Sequence, residues 1–171
     1  MTEHRTRRQL LNSAAGLAAG AFILSRTPRA FAATPAPLRH TNAEWHKMLS
    51  PAQYDVLRDA GTEMPFSSPL NHFYKPGRYA CAGCALPAFT SATKFDSGTG
   101  WPSFWEPIAD AIAEHQDGSM GMQRTEIRCA RCDSHLGHLF DDGPQPTGLR
   151  YCMNGVALQF MPDAGPPSRA S

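Results

Sequence analysis

Apolar and polar positions along this chain change rhythm twice. Residues 10–24, LLNSAAGLAAGAFIL, form one mildly apolar run with no periodic polar face. Between Asn42 and Gly61 the spacing is that of two short helices. Thr41 is placed to cap the first, over about Asn42–Leu49. Ser50-Pro51 supplies an N-cap serine and a first-turn proline for the second, which should stop at Gly61. Beyond Gly61 the apolar runs become short. RYAC, KFDS, QRTEIRC, HLGHLF and VALQF are separated by Gly, Pro, Asp and Asn clusters, the rhythm of a small antiparallel β-protein. The expected fold class is therefore mainly β, with short N-terminal helices.

The first apolar run reads as a targeting segment. TRRQLL places Arg7-Arg8 ahead of it, and Ala30-Phe31-Ala32 offers a small-x-small cleavage site before Ala33. A twin-arginine pair with a mild apolar region is the pattern of bacterial Tat export, which implies a periplasmic mature protein. A Sec signal and an uncleaved anchor are the alternatives. The run has 15 residues, where a spanning helix needs about 20, which disfavours the anchor. The expected organisation is a signal over residues 1–32, a Pro/Ala linker over 33–40, one domain over 41–162 and a disordered tail over 163–171.

Composition adds little to the fold but narrows the function. The 171 residues suit a single core, and 15 prolines with 14 glycines favour turns over long helices. The net charge of +1 divides unevenly: residues 1–32 carry +4, from five arginines against Glu3, and the rest carries −3. With the net positive charge confined to the leader, nothing suggests a nucleic-acid surface on the domain, and nothing in the mature part calls for a membrane.

Five cysteines carry the chemistry. Cys81-Ala-Gly-Cys84 and Cys129-Ala-Arg-Cys132 are two CxxC knuckles with 44 residues between them. Each turn aims two thiolates inward, and two turns complete a tetrahedron of sulfurs around one ion. Two disulfides, or one redox-active CxxC, are the competing readings. Tat cargo folds before export, so these thiols would meet metal in the reducing cytosol, which favours structural Zn²⁺, with Fe²⁺ as a possible occupant. Four protein ligands close such a site against catalysis.

The fifth cysteine, Cys152, lies in LRYCMNGVAL (residues 149–158). If this run is a strand, Arg150, Cys152 and Asn154 share a face. Arg150 would then lower the thiol pKa, and Asn154 would offer a neutral hydrogen-bonding group. SGTGWPSFW (Ser97–Trp105) contributes Trp101, and DSHLGHLFDDG contributes His135 and His138. Taken singly, each has an ordinary structural explanation. Together they supply a nucleophile, two proton donors and an aromatic wall, a kit for thiol chemistry on a small apolar group.

Those motifs, with EWHKMLSPAQYDVLRDAGTEMPFSSPL, GWPSF and RCARCDSHLGHLFDDGP, resemble the methionine sulfoxide reductases of the B type, which act on the R epimer. The resemblance spans about Asn42 to Pro162. It implies two antiparallel sheets preceded by short helices, with a Cys₄ zinc site on Cys81, Cys84, Cys129 and Cys132 away from the reaction. It also implies Cys152 as nucleophile and Trp101 as the wall of the methyl pocket. His135 and His138 would orient and protonate the sulfoxide oxygen, Asn154 would hold the site's hydrogen bonds, and Arg150 would support it. Attack on the sulfoxide would leave a Cys152 sulfenic acid and methionine, in the service of protein repair.

Two departures from the family pattern stand out. The position that often holds a resolving cysteine is Thr99, and four of the five cysteines are accounted for by the knuckles. Recycling by an external thiol donor, such as a thioredoxin-like protein, is therefore expected, unless a knuckle cysteine is sacrificed. Gly155 stands where serine is usual, with either a looser loop or a lost hydrogen bond as the consequence. Met153, where Ile or Val is common, should face the core. A monomer is expected. The rival readings are a zinc-stabilised binding module that uses the SGTGWPSFW surface and a general thiol peroxidase.

Overall fold

A computed structural model describes residues 35–163. The leader expected over residues 1–32 and the tail over residues 164–171 lie outside the described residues. Helix α1 spans Asn42–Met48 and α2 spans Pro51–Asp59. Both begin with a complete capping box: Thr41 with Glu44, and Ser50 with Gln53. Each box satisfies two otherwise unpaired backbone N–H groups, and an N-cap side chain of this kind is worth about 1 kcal/mol. One detail differs from expectation. The left-handed residue that ends α2 is Ala60 (φ 55°), not Gly61. Gly61 is instead held close beneath the helix, where a Cβ would lie 2.3 Å from Asp55 Oδ2.

Nine strands follow: β1 Gly77–Cys81, β2 Pro87–Thr90, β3 Lys94–Phe95, β4 Ser103–Phe104, β5 Ile112–Asp117, β6 Arg124–Cys129, β7 His135–Phe140, β8 Arg150–Met153 and β9 Leu158–Pro162. They form a three-stranded sheet in the order β2-β1-β9 and a six-stranded sheet in the order β3-β4-β8-β7-β6-β5. All pairings are antiparallel. The mainly β reading and its two sheets hold. β2, β4 and β5 were not among the expected runs. β2 begins with proline on a sheet edge, where a missing N–H costs no ladder bond. β5 is also an edge, and its IAEHQD has no fully buried position to make an alternating pattern. Val156 and Ala157, expected in the last strand, sit in a 3₁₀ turn over Gly155–Ala157.

The core lies between the sheets and under the helices. Trp45 and Leu57 enter it from α1 and α2, and Tyr79, Phe89, Phe104, Ile127, Leu136 and Met153 from the strands, all fully buried. Phe89 stacks on Phe104 at 4.5 Å, and Tyr79 meets Phe104 edge-on at 5.0 Å, so rings from both sheets interlock. The segment read as a linker has neither helix nor strand over residues 35–40. Its Leu38 nonetheless packs on the core and donates its N–H to Arg131 O at 2.6 Å.

β7 and β8 approach so closely at Gly137 that no side chain fits. A Cβ there would lie 2.1 Å from the Cys152 carbonyl oxygen and 2.9 Å from Met153 Cα, both backbone atoms. Gly137→Ala must push the strands apart. We expect it to lower stability by about 3 kcal/mol, the upper end of overpacking costs, read as a reduced midpoint in urea unfolding with an unchanged slope.

Candidate active site

The two knuckles are built alike. Cys81 N donates to Leu86 O at 2.9 Å, and Ala85 N donates to Cys81 O at 2.8 Å. In the second knuckle Cys129 N donates to Ser134 O at 2.9 Å, and Asp133 N to Cys129 O at 2.9 Å. The residue after each pair, Ala85 or Asp133, is left-handed (φ 60° and 56°). These turns bring all four sulfurs within 4.8 Å of one another. The Cys81–Cys132 and Cys84–Cys129 sulfurs are 3.6 and 3.4 Å apart, not bonded. A tetrahedron of sulfurs with metal–sulfur bonds of about 2.3 Å has edges of about 3.8 Å, so the donor set fits one soft divalent ion. Ser134 Oγ lies 3.2 Å from Cys132 Sγ, and Arg58 from α2 donates to both Cys132 O and Ser134 Oγ at 3.2 Å.

Cys152 sits on β8 between two neighbours, Ser103 on β4 and His138 on β7, each its register partner. It lines a cavity of about 150 Å³ with Trp101, His138, Phe140 and Asn154. That space takes the end of one side chain. Thr99 Oγ1 lies 4.0 Å from Cys152 Sγ, at the head of a hydroxyl chain that continues to Ser97 (2.8 Å) and Ser103 (2.7 Å). Burial raises the Cys152 thiol above its ordinary pKa. Arg150 and the Thr99 and Ser103 hydroxyls pull it down, but by less. Arg150 thus acts in the expected direction without producing a resting thiolate. Its guanidinium is engaged elsewhere too, in a two-pronged pair with Asp142 (2.7 and 2.9 Å) and over the Phe140 ring at 4.3 Å.

Four sequence-nominated residues therefore meet in one cavity: Trp101, His138, Cys152 and Asn154. His135 does not line it. Its ring is 3% exposed and stands beside His138, centroids 5.3 Å apart, facing a neighbouring cleft. Burial pushes its pKa down more than Glu126, 2.7 Å from Nδ1, pulls it up. Glu126 is itself pushed up by burial and brought below its ordinary value by His135 and Arg128. The pair is thus a neutral imidazole donating to a carboxylate. Asn154 is held by backbone at both ends of its amide: its Nδ2 donates to Leu136 O at 3.2 Å, and its Oδ1 accepts from Glu63 N at 3.0 Å.

Sequence reasoning missed Glu63, which ties these parts together. Its carbonyl accepts the Trp101 indole N–H at 3.1 Å, and its carboxylate accepts from Gly155 N and Val156 N at 2.7 and 2.8 Å. One loop residue thereby fixes the pocket wall, the asparagine and the turn behind Cys152. Also missed were Asp142, Glu126, Arg124 and Asp117, ordinary surface charges by composition that acquire partners only across strands. The single local signal was position: Asp142 lies within the same histidine-rich segment.

Comparison with known proteins identifies the family. Residues 49–162 match the SelR domain. The chain is 52% identical over 130 residues to a peptide methionine sulfoxide reductase MsrB of Agrobacterium fabrum, covering 75% of this chain and 96% of that relative. It is 58% identical over 123 residues to the MsrB of Pseudomonas entomophila, covering 71% and 94%. The MsrB of Thiobacillus denitrificans is 54% identical over 123 residues, covering 71% and 93%. The chain belongs to the SelR-domain family, the peptide methionine sulfoxide reductases of the MsrB type.

Gly155 can now be explained. A Cβ there would lie 1.9 Å from Ser68 Oγ and 2.4 Å from Ser68 Cβ. The missing side chain is space that Ser68 fills. We expect Gly155→Ser to cost about 2 kcal/mol in urea unfolding. The cost should fall by at least about half in a Ser68→Gly background, a coupling that a double-mutant cycle measures.

Proposed function

We propose that this protein reduces methionine-R-sulfoxide, mainly within peptides and proteins, to methionine, with Cys152 as nucleophile. The observation that carries this is Cys152 in a one-side-chain cavity with Trp101 and His138, within a chain 52–58% identical to MsrB relatives. Trp101 walls the space for the substrate methyl group. Sulfoxide sulfur is a poor electrophile until its oxygen gains proton character, so acid assistance is needed, and His138 is placed to give it. The Cys152 sulfur attacks and the sulfur–oxygen bond of the sulfoxide breaks. The substrate sulfur gains two electrons and Cys152 loses two, becoming a sulfenic acid whose proton is the one the thiol gave up. Two external thiols then return it to thiol, releasing water and leaving their own disulfide. Arg150, pinned by Asp142, lowers the cost of the transient thiolate, and Asn154 with Glu63 keeps the wall and turn in place.

Thr99 supports the external route, because it stands beside Cys152 where an internal partner would have to be. One equivalent of substrate should therefore give a Cys152 sulfenic acid and no intramolecular disulfide by mass spectrometry, while Thr99→Cys should form one. A native disulfide including Cys152 would overturn the reading. Cys152→Ser should abolish reduction while leaving fold and metal content intact. Absence of sulfoxide reduction by the native protein would favour a binding module, and survival of reduction in Cys152→Ser would exclude Cys152 as the nucleophile. Peroxide turnover faster than sulfoxide turnover, without preference for one epimer, would favour a peroxidase.

The raised thiol gives a pH signature. A thiol whose pKa is raised is mostly protonated at neutral pH, so its reactivity increases as pH rises through that value. Alkylation of Cys152 by iodoacetamide should thus have its midpoint above that of an ordinary thiol. Arg150→Gln, by removing the main favourable charge, should move it higher still.

Cys81, Cys84, Cys129 and Cys132 would hold one structural Zn²⁺, which supplies cross-linking and no chemistry. Metal analysis should find one zinc (or iron) per chain, and its chelation should unfold the domain before any loss attributable to Cys152. Arg7-Arg8 and the Ala30-Phe31-Ala32 site support Tat export of the mature protein to the periplasm as a monomer. A thioredoxin-like donor there would close the cycle.

A further inference from the structure

Beside the Cys152 cavity lies a carboxylate that the chemistry above does not use. Asp117, the last residue of β5, accepts from three sides. His138 Nε2 donates to its Oδ2 at 2.8 Å, Arg124 Nη2 donates to the same oxygen at 2.7 Å, and Ser119 N donates to Oδ1 at 2.8 Å. Arg124 also reaches Ser119 Oγ at 3.1 Å, so the turn that leaves β5 is bound to the strand that follows it. His138 and Arg124 both line the Cys152 cavity, whereas Asp117 stands behind them in the adjoining cleft.

We propose that Asp117 is the positioning carboxylate of this site, fixing which nitrogen of His138 can serve the substrate, with Arg124 fixing Asp117 in turn. The inference rests on the role given to His138 above. An ionised carboxylate only accepts hydrogen bonds, so the proton it faces must sit on Nε2. Nδ1 is then the one ring nitrogen able to deliver a proton to the sulfoxide oxygen, and only from the doubly protonated ring. In the step itself a proton leaves His138 for the sulfoxide oxygen, and the thiol proton of Cys152 restores it. No other reactant is needed. The hydrogen bonds from Ser119, and then His138, hold the Asp117 carboxyl well below the ordinary carboxylate range, so it stays an anion throughout the working pH.

The charges that face His138 are few: Asp117 from β5, Arg124 and Glu126 from β6, His135 from its own strand, and Cys152 from β8. Asp117→Asn puts an amide where the acceptor-only carboxylate stood, so Nε2 can meet either a donor or an acceptor and the ring is no longer held in one tautomer. With peptide-bound R-sulfoxide and dithiothreitol, Asp117→Asn should also lower kcat at least about tenfold, with KM changed less than about threefold. Ring ¹⁵N spectra of the full-length domain should show the His138 proton on Nε2 in the native protein and a mixture of tautomers in Asp117→Ala. An unchanged kcat in Asp117→Asn, or a ring tautomer unchanged in Asp117→Ala, would overturn the proposal. His138→Gln separates the two levels. Full activity in that variant would refute the role of His138 in chemistry, while the tautomer measurement alone would still decide whether Asp117 holds the ring.

Discussion

Among the described residues the two sheets share no hydrogen-bonded ladder, so the surroundings of Cys152 depend on how they are joined. Four sulfurs within 4.8 Å do much of that joining. Cys81 and Cys84 close the end of β1 in the small sheet, and Cys129 and Cys132 form the turn that starts β7 in the large one. From Cys132 it is six residues to His138, which pairs directly across from Cys152. Between the knuckle and His138 the β6–β7 ladder shifts register once, between Ile127 and Arg128, so that His138 comes opposite Glu126 on one side and Cys152 on the other. Arg58 extends the same junction to α2 through Cys132 O and Ser134 Oγ. The helices, both sheets and the catalytic strand thus meet at one place.

The reacting group depends on a compromise between burial and charge. A cavity tight enough to select a methyl sulfoxide must exclude water, and excluding water disfavours a thiolate. The protein places one guanidinium and two hydroxyls near the sulfur, which offsets part of that penalty and leaves a neutral thiol at rest. A neutral thiol is slow toward stray oxidants. The charged partners are kept one layer out: Asp142 on Arg150, Asp117 on His138 and Glu126 on His135. Each pairs with a cavity residue or its neighbour and leaves the space itself free of fixed carboxylates.

What was legible in the sequence was local or covalently close. Thr41 and Ser50 announced their helices because a capping box needs only residues three apart. The knuckles announced themselves because CxxC is a turn and a donor pair at once. Cys152, Trp101, His138 and Asn154 were legible as chemical types, and the family resemblance supplied their assembly. The rest was hidden by distance. Glu63 meets Asn154, Gly155 and Val156 across some 90 positions of chain, and no pattern around TEMPF foretells it. β5 was missed because a sheet edge with exposed side chains has no apolar alternation. With it went Asp117, whose importance lies entirely in what faces it. His135 was nominated by adjacency to His138, yet its ring turns to Glu126 and the neighbouring cleft.

Gly155 and Ser68 leave a mark of another kind. Ser68 now occupies the volume that a side chain at 155 would need, and Leu70 N donates to its hydroxyl at 3.1 Å. From this sequence a serine at 155 is not a neighbouring state, because position 68 would have to yield first. The two positions share one volume, so a larger side chain at 155 requires a smaller one, or a displaced loop, at 68. A departure of one residue from the family pattern is thus kept in place by a second residue that no short motif around Cys152 contains.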